Sequence, residues 1–215
     1  MDFERPIVSV DVALFTLEPF ALLLQQRAQP PFEKVWALPG GFIHTDEDEN
    51  AQAAVRRILL QKTGAEIPYM EQLFTFSGRA RDPRGWSVSI AHYALIPRAQ
   101  LHINPDTTRL VPIESCPQLP FDHNQIVETA LTRLRNKSAY SSLPTFFLGE
   151  DFSLSELQDV YEQVLGIELD RTTFRRNLLE QGLIEPTGQQ RKDGAHRPAQ
   201  LYRRKPDLVQ LNRTL

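Results

Sequence analysis

Apolar residues at Ala51, Ala54, Val55, Ile58 and Leu59 recur at i, i+3, i+4, i+7 and i+8. That period gives one buried stripe and predicts an amphipathic helix, with Gly64 after Thr63 as its stop. Ahead of it, Trp36, Leu38 and Pro39 lead to Gly40-Gly41, a pair free to take backbone angles that other residues resist. A glycine loop therefore feeds a helix. Runs rich in β-branched and aliphatic residues predict strands over residues 7–15, 21–27, 71–76 and 86–96, the last placing Val88, Ile90 and His92 on one face. Asp82-Pro83-Arg84-Gly85 has the residue order of a type I turn. Residues 97–120 carry Pro97, Pro105, Pro112, Pro117 and Pro120 and read as irregular. A helix is expected over 121–137, with Asp122 as its N-cap and Ile126, Ala130 and Leu134 on its apolar side.

The pattern changes after a small, polar stretch, residues 138–144, which reads as a linker. Ser153 and Glu156 form a capping box at the head of a helix over 153–165, with Gly166 as its stop. Asp170 is placed to cap a second helix that ends at Gly182. A strand starts at Leu183-Ile184, residues 187–200 read as a polar, basic loop, and residues 201–205 return as a strand. Helix, short turn, helix and hairpin is the order of a winged helix-turn-helix. The expectation is an α+β chain with two domains, at 1–140 and 141–215.

Composition adds little, but charge distribution adds a good deal. The 215 residues, 41% hydrophobic and 24% charged, suit a globule with a real core. A single cysteine, Cys116, leaves no internal disulfide framework. The start, MDFERPIVSV, has neither a basic region nor a long apolar run, so no signal peptide or membrane contact is expected and a cytoplasmic location is. Net charge is −3, yet residues 151–170 hold six acids and no Lys or Arg, while residues 171–205 hold nine bases against three acids. Such a basic cluster displaces counterions from DNA phosphates. The candidate DNA-binding residues are Arg171, Thr172, Thr173, Arg175, Arg176 and Asn177 on the second helix, with Arg191, Lys192, His196 and Arg197 in the wing. The five histidines, His44, His92, His102, His123 and His196, are too scattered to suggest a zinc site. No phosphate-binding Gly-Lys-Ser/Thr loop and no serine elbow is present.

Residues 36–65, WALPGGFIHTDEDENAQAAVRRILLQKTGA, resemble the Nudix box: G, five residues, E, seven residues, then R-E-U-x-E-E-x-G-U, with U aliphatic. Matched from its end, the chain offers Arg57, Ile58, Leu59, Leu60, Gln61, Lys62, Thr63, Gly64 and Ala65. Ile58, Gln61 and Lys62 stand where the family has metal-binding glutamates, and two extra residues separate Glu47 from Arg57. Nudix hydrolases cleave diphosphates with Mg²⁺, a hard cation that needs oxygen ligands. A hydrocarbon and an ammonium at positions i and i+4 cannot supply them. Ile58 is expected in the core. Lys62 is either a helix-end charge favoured by the dipole or a holder of phosphate. Glu47, Asp48 and Glu49 read as a solvated acidic loop.

Taken together with YMEQLFTFSGRARDPRGWSVSIAHYALIP, LDRTTFRRNLLEQGLIEPTG and RPAQLYR, the chain resembles the Nudix-related transcriptional regulators of NAD metabolism, the NrtR group. The resemblance implies a Nudix-like α/β/α sandwich with a mixed sheet, followed by a winged helix. It implies a homodimer that binds a palindromic operator in double-stranded DNA and associates with the nucleoid when bound. It also implies a repressor of NAD biosynthesis or salvage genes, with ADP-ribose or a related nucleotide as effector and no metal, no cofactor and no catalytic residue. The effector-site candidates are Arg27, Trp36, Gly40, Gly41, Arg57, Lys62, Arg79, Arg81 and Arg84. Arg27 and the three loop arginines read equally as solvated charges, and Trp36, Phe76 and Trp86 as base-stacking or as core. The rival reading is an active ADP-ribose pyrophosphatase with an accessory DNA-binding domain.

Overall fold

The computed structural model describes residues 5–192, 198–207 and 209–210. The chain forms two compact units, residues 1–131 and 132–215. Strands of the first unit are β1 (Ile7–Thr16), β2 (Ala21–Gln26), β3 (Trp36–Ala37), β4 (Gly40–Phe42), β5 (Tyr69–Gly78), β6 (Ser87–Leu95) and β7 (Thr108–Pro112). They build one mixed sheet in the order β3-β2-β1-β6-β5, with β4 on β1 and β7 on β2. The β1–β6 pair is parallel and the others are antiparallel.

Alternation along β1 sets the layers. Val10, Val12 and Leu14 point to the face covered by α1 (Ala51–Thr63), where they join Val55, Ile58 and Leu59 in one cluster. Asp11 points to the other face, where it meets His123, the first residue of α2 (His123–Ser138). Asn50 caps α1 by accepting from the Ala53 N–H at 3.0 Å, and Gly64 ends it at φ 66°. The proline-rich segment is less irregular than its composition suggests. It contains β7, in which Pro112 sits at the strand end, opposite Ala21, where a missing N–H is tolerated.

The second unit holds a 3-10 turn (Leu143–Phe147), β8 (Asp151–Ser153), α3 (Leu154–Leu165), α4 (Arg171–Glu180), β9 (Ile184–Arg191) and β10 (Ala199–Arg204). Both halves of the Ser153/Glu156 capping box are formed, and Asp170 caps α4 through the Thr173 N–H. Phe152, Leu157, Tyr161, Phe174, Leu178, Leu183 and Tyr202 form its core. Three expectations are corrected here. Most of the segment read as a linker is interior, although Tyr140 is exposed: Ser138, Ser141 and Ser142 are buried, and the Ser141 hydroxyl donates to the Lys137 carbonyl at 2.6 Å. The hairpin is a three-stranded sheet, β8-β10-β9. Residues 187–191, read as loop, continue β9, since Gln190 and Arg191 pair with Gln200 and Ala199. Among the described residues no helix is long and apolar enough to cross a membrane.

Candidate functional site

In the first unit, the Gly40-Gly41 strand, β2 and the 81–84 turn enclose a cleft that is partly open to solvent. Arg27, Gly40, Gly41, Arg81 and Arg84 line it. So do Ser9, Asp11, Gln25, Asp82, Phe121 and His123, which the sequence reading did not select. Gly40 has to be glycine. A Cβ there would stand 2.2 Å from the Asp11 Oδ1 and 2.8 Å from the Val10 carbonyl oxygen.

Arg27 donates to the carbonyl oxygens of Pro31 (2.8 Å) and Gln29 (3.3 Å), and its guanidinium lies 4.8 Å from the Phe121 ring centre. Among the described residues it has no carboxylate partner within ion-pair distance. Burial and the like charge of Arg84 push its pKa below the ordinary arginine value. Arg84 is held by Asp82 at 2.7 Å. Both Phe32 (φ 60°) and Phe121 (φ 57°) adopt the left-handed region, which is uncommon for large side chains, and their rings meet edge-on at 4.9 Å.

Beneath these groups lies a buried polar cluster. Arg81 donates twice to Asp122, at 2.9 Å each, and reaches Asp11 Oδ2 at 3.5 Å. Ser89 donates to the same Asp11 oxygen at 2.6 Å. Burial raises the Asp11 pKa, but His123, Ser89 and Arg81 outweigh it and hold the carboxyl at about 2. The Leu38 N–H donates to His123 Nδ1 at 3.1 Å, so the ring proton sits on Nε2, which faces Asp11 Oδ1 at 3.5 Å. Asp122, expected as an N-cap, spends its carboxylate on Arg81 instead. A signal for this cluster existed in the sequence: a lone acid, Asp11, inside the apolar run of β1.

The remaining effector candidates lie outside the cleft. Trp36 packs under Arg109, 4.3 Å from guanidinium to ring centre. Arg57 is clamped on Asp48 (2.6 and 2.9 Å) and the Phe42 carbonyl oxygen (3.1 Å). Lys62 is half-buried on α1 and lines no part of the cleft. Arg79 stands beside Phe32 and Pro83 on one side and Arg5 and Trp86 on the other. Phe76 is buried against Phe74. The acidic loop is not simply solvated: the Asp48 side chain is 2% exposed, and its hydrogen bond to Arg57 lowers its pKa to about 2.

The Mg²⁺ implied by the Nudix resemblance does not fit these residues. Ile58 is 4% exposed, and its Cδ1 would lie 3.2 Å from a Cβ on Gly41, so hydrocarbon fills the space beside the loop. Asp48 already serves Arg57, and Glu47 faces His44 and Arg57. Among the described residues no group of three or more His, Cys, Asp or Glu is placed to hold a metal ion.

In the second unit α4 buries Phe174 and Leu178 and exposes Arg171, Thr172, Thr173 and Arg176, with Arg175 and Asn177 half-buried. Arg191 is paired with Glu156 at 2.6 Å, and Lys192 is exposed. His196 and Arg197 lie outside the described residues. An exposed, basic helix N-terminal half is a shape that enters a major groove.

Comparison with known proteins matches both units. The NUDIX domain model matches residues 5–130, and the NrtR DNA-binding winged helix domain model matches residues 144–204. The ADPR responsive transcriptional repressor NtrR of Acinetobacter baylyi is 40% identical over 209 residues, spanning 94% of this chain and 83% of that protein. The crystal structure of Shewanella oneidensis NrtR complexed with a 27mer DNA aligns at a TM-score of 0.90 and 38% identity, covering 97% of this chain and 99% of that one. The NUDIX domain of the same Shewanella protein, cocrystallised with ADP ribose, aligns at a TM-score of 0.56 and 38% identity, over 61% of this chain and 90% of that one.

Proposed function

The chain belongs to the NrtR family, in which a Nudix domain is joined to a winged helix, and we propose that it is a transcriptional repressor of NAD-metabolism genes whose affinity for operator DNA is set by ADP-ribose. The observation that carries the effector half is the cleft itself. Burial and the like charge of Arg84 depress the Arg27 pKa beside the half-buried Gly40-Gly41 backbone. A diphosphate there neutralises Arg27 and shares Arg84 with Asp82, and the two glycines let it come close. The effector contacts we assign are therefore Arg27, Gly40, Gly41 and Arg84, with Arg81 bracing the floor.

The helix α4 carries the DNA half, with Thr172, Thr173, Arg176 and Asn177 toward base edges and Arg171, Arg175 and the wing residues Arg191, Lys192, His196 and Arg197 toward phosphates. One such helix per chain reads one half-site, so the active species is a homodimer on a palindrome. Light scattering then gives twice the 24.6 kDa of the chain. Hydrolysis is not part of the function, because the side chains that would clasp Mg²⁺ are hydrocarbon, amide and ammonium.

Fluorescence anisotropy on DNA from upstream of the chain's own target genes tests the proposal. ADP-ribose shifts the operator affinity several-fold, and ADP-ribose incubated with Mg²⁺ and protein at high concentration releases no AMP. An unchanged DNA affinity at saturating ADP-ribose refutes the sensor, and stoichiometric AMP release refutes the non-catalytic assignment.

A further inference from the structure

The cleft is chemically divided. Its exposed residues are Gln29, Pro30, Phe42 and Arg84, and the half-buried Arg27 and Phe121 beside them bring a second cation and a second aromatic ring to the rim. Its buried residues include Asp11, Gln25 and His123, at 7%, 8% and 3% exposure. Asp11 and His123 are engaged with one another and with Ser89, Arg81 and Leu38. Gln25 is not. Its side-chain oxygen is buried and has no hydrogen-bond partner among the described residues. A buried carbonyl left unpaired costs free energy, and such groups mark places where something else supplies the donor. The buried acid and imidazole of the same cleft do not supply it. Asp11 accepts only, and the one proton on the His123 ring faces Asp11.

We propose that the Gln25 carbonyl accepts a hydrogen bond from a ring hydroxyl of the effector's terminal ribose, so that this residue distinguishes ADP-ribose from ADP. The assignment rests on the effector reading above and adds an orientation to it. The diphosphate lies at Arg27 and Arg84, the sugar end sits inward among polar side chains, and the base end lies outward toward the aromatic rim. The floor suits a sugar because its buried side chains include acceptors and no aromatic carbocycle. A purine, by contrast, needs a flat apolar face.

Calorimetric titration of the full chain with ADP-ribose and with ADP decides the matter. Gln25→Leu weakens ADP-ribose on the order of tenfold and leaves ADP within about twofold, the effect of one lost hydrogen bond. Its Tm does not fall, because the substitution removes an unpaired buried acceptor; a merely structural glutamine would lower Tm and weaken both nucleotides alike. Gln25→Glu keeps an acceptor and keeps the preference. The unmodified chain provides an arm free of folding effects: it binds ADP-ribose about fivefold or more tighter than ADP. Equal affinity for the two, or equal losses in Gln25→Leu, overturns the assignment while leaving the sensor standing. A chain that binds neither nucleotide overturns both.

Discussion

Gly40 and Gly41 are neighbours with different reasons for being glycine. A methyl group on Gly40 collides with a carboxylate and a backbone carbonyl, neither of which can retreat without breaking the Asp11 cluster. On Gly41 it meets only the tip of Ile58, a side chain that can rotate a few tenths of an ångström. Gly40→Ala therefore destabilises the chain by about 1–3 kcal/mol and abolishes the effector response, whereas Gly41→Ala costs under about 1 kcal/mol. Urea denaturation checks both. Asp11 gives a pH signature. Its carboxyl is held at about 2, against 3.8 for an ordinary one, so the unfolded chain takes up a proton first as acid is added. Its stabilising contribution, roughly 2 kcal/mol, is complete above about pH 4 and is lost as pH falls through about 2. Asp11→Asn is less stable at neutral pH and shows a flatter stability curve across that acid range. This residue illustrates what sequence conceals. Arg27, Arg81, Arg84 and the glycine pair were visible as a charged loop and a glycine loop. Asp11, Gln25 and His123 lie 14 to 112 positions apart and meet only because β1, β2 and α2 converge.

At the scale of elements, periodicity and caps were the dependable signals. α3 and α4 begin at the expected caps, Ser153 and Asp170, whereas the Asn50 cap of α1 was not singled out and Asp122 serves Arg81 instead of capping α2. Segments whose local chemistry conflicts with their surroundings were not legible. β7 hides among prolines, and the buried Ser141 and Ser142 ahead of the turn at Leu143–Phe147 are of the kind that normally marks a linker. β9 runs through Thr187, Gly188 and Gln189 because β10 supplies the ladder, whatever the composition. Helix α4 is where an element-level test belongs. Arg176 is exposed beside the capped N-terminal turn. If it contacts phosphate, Arg176→Ala weakens all DNA sequences alike and lowers the slope of log affinity against log salt by about one per protomer. If it reads a base, the operator loses about 1–3 kcal/mol and non-specific DNA loses little.

At the scale of the whole molecule, the division of labour was legible because the two halves differ in kind. A sheet-and-helix unit precedes a smaller unit of helices and a three-stranded sheet whose sequence carries its acids before its bases. The likeness to both family models spans that same order. The segregation itself has an effect at a distance. Residues 151–170 carry only acids and residues 171–205 are strongly basic, although the chain as a whole is slightly negative. A DNA duplex repels the net charge of such a molecule but attracts the exposed Arg171 and Arg176 at the head of α4, whereas Arg191 and Arg203 are already paired with Glu156 and Asp151. Dilute salt lets that field act beyond the contact distance and turn the protein before collision, while physiological salt, with a screening length near 8 Å, confines the turning to the last few ångströms. The placing of exposed cations on one helix thus filters approach orientations before any base pair is read.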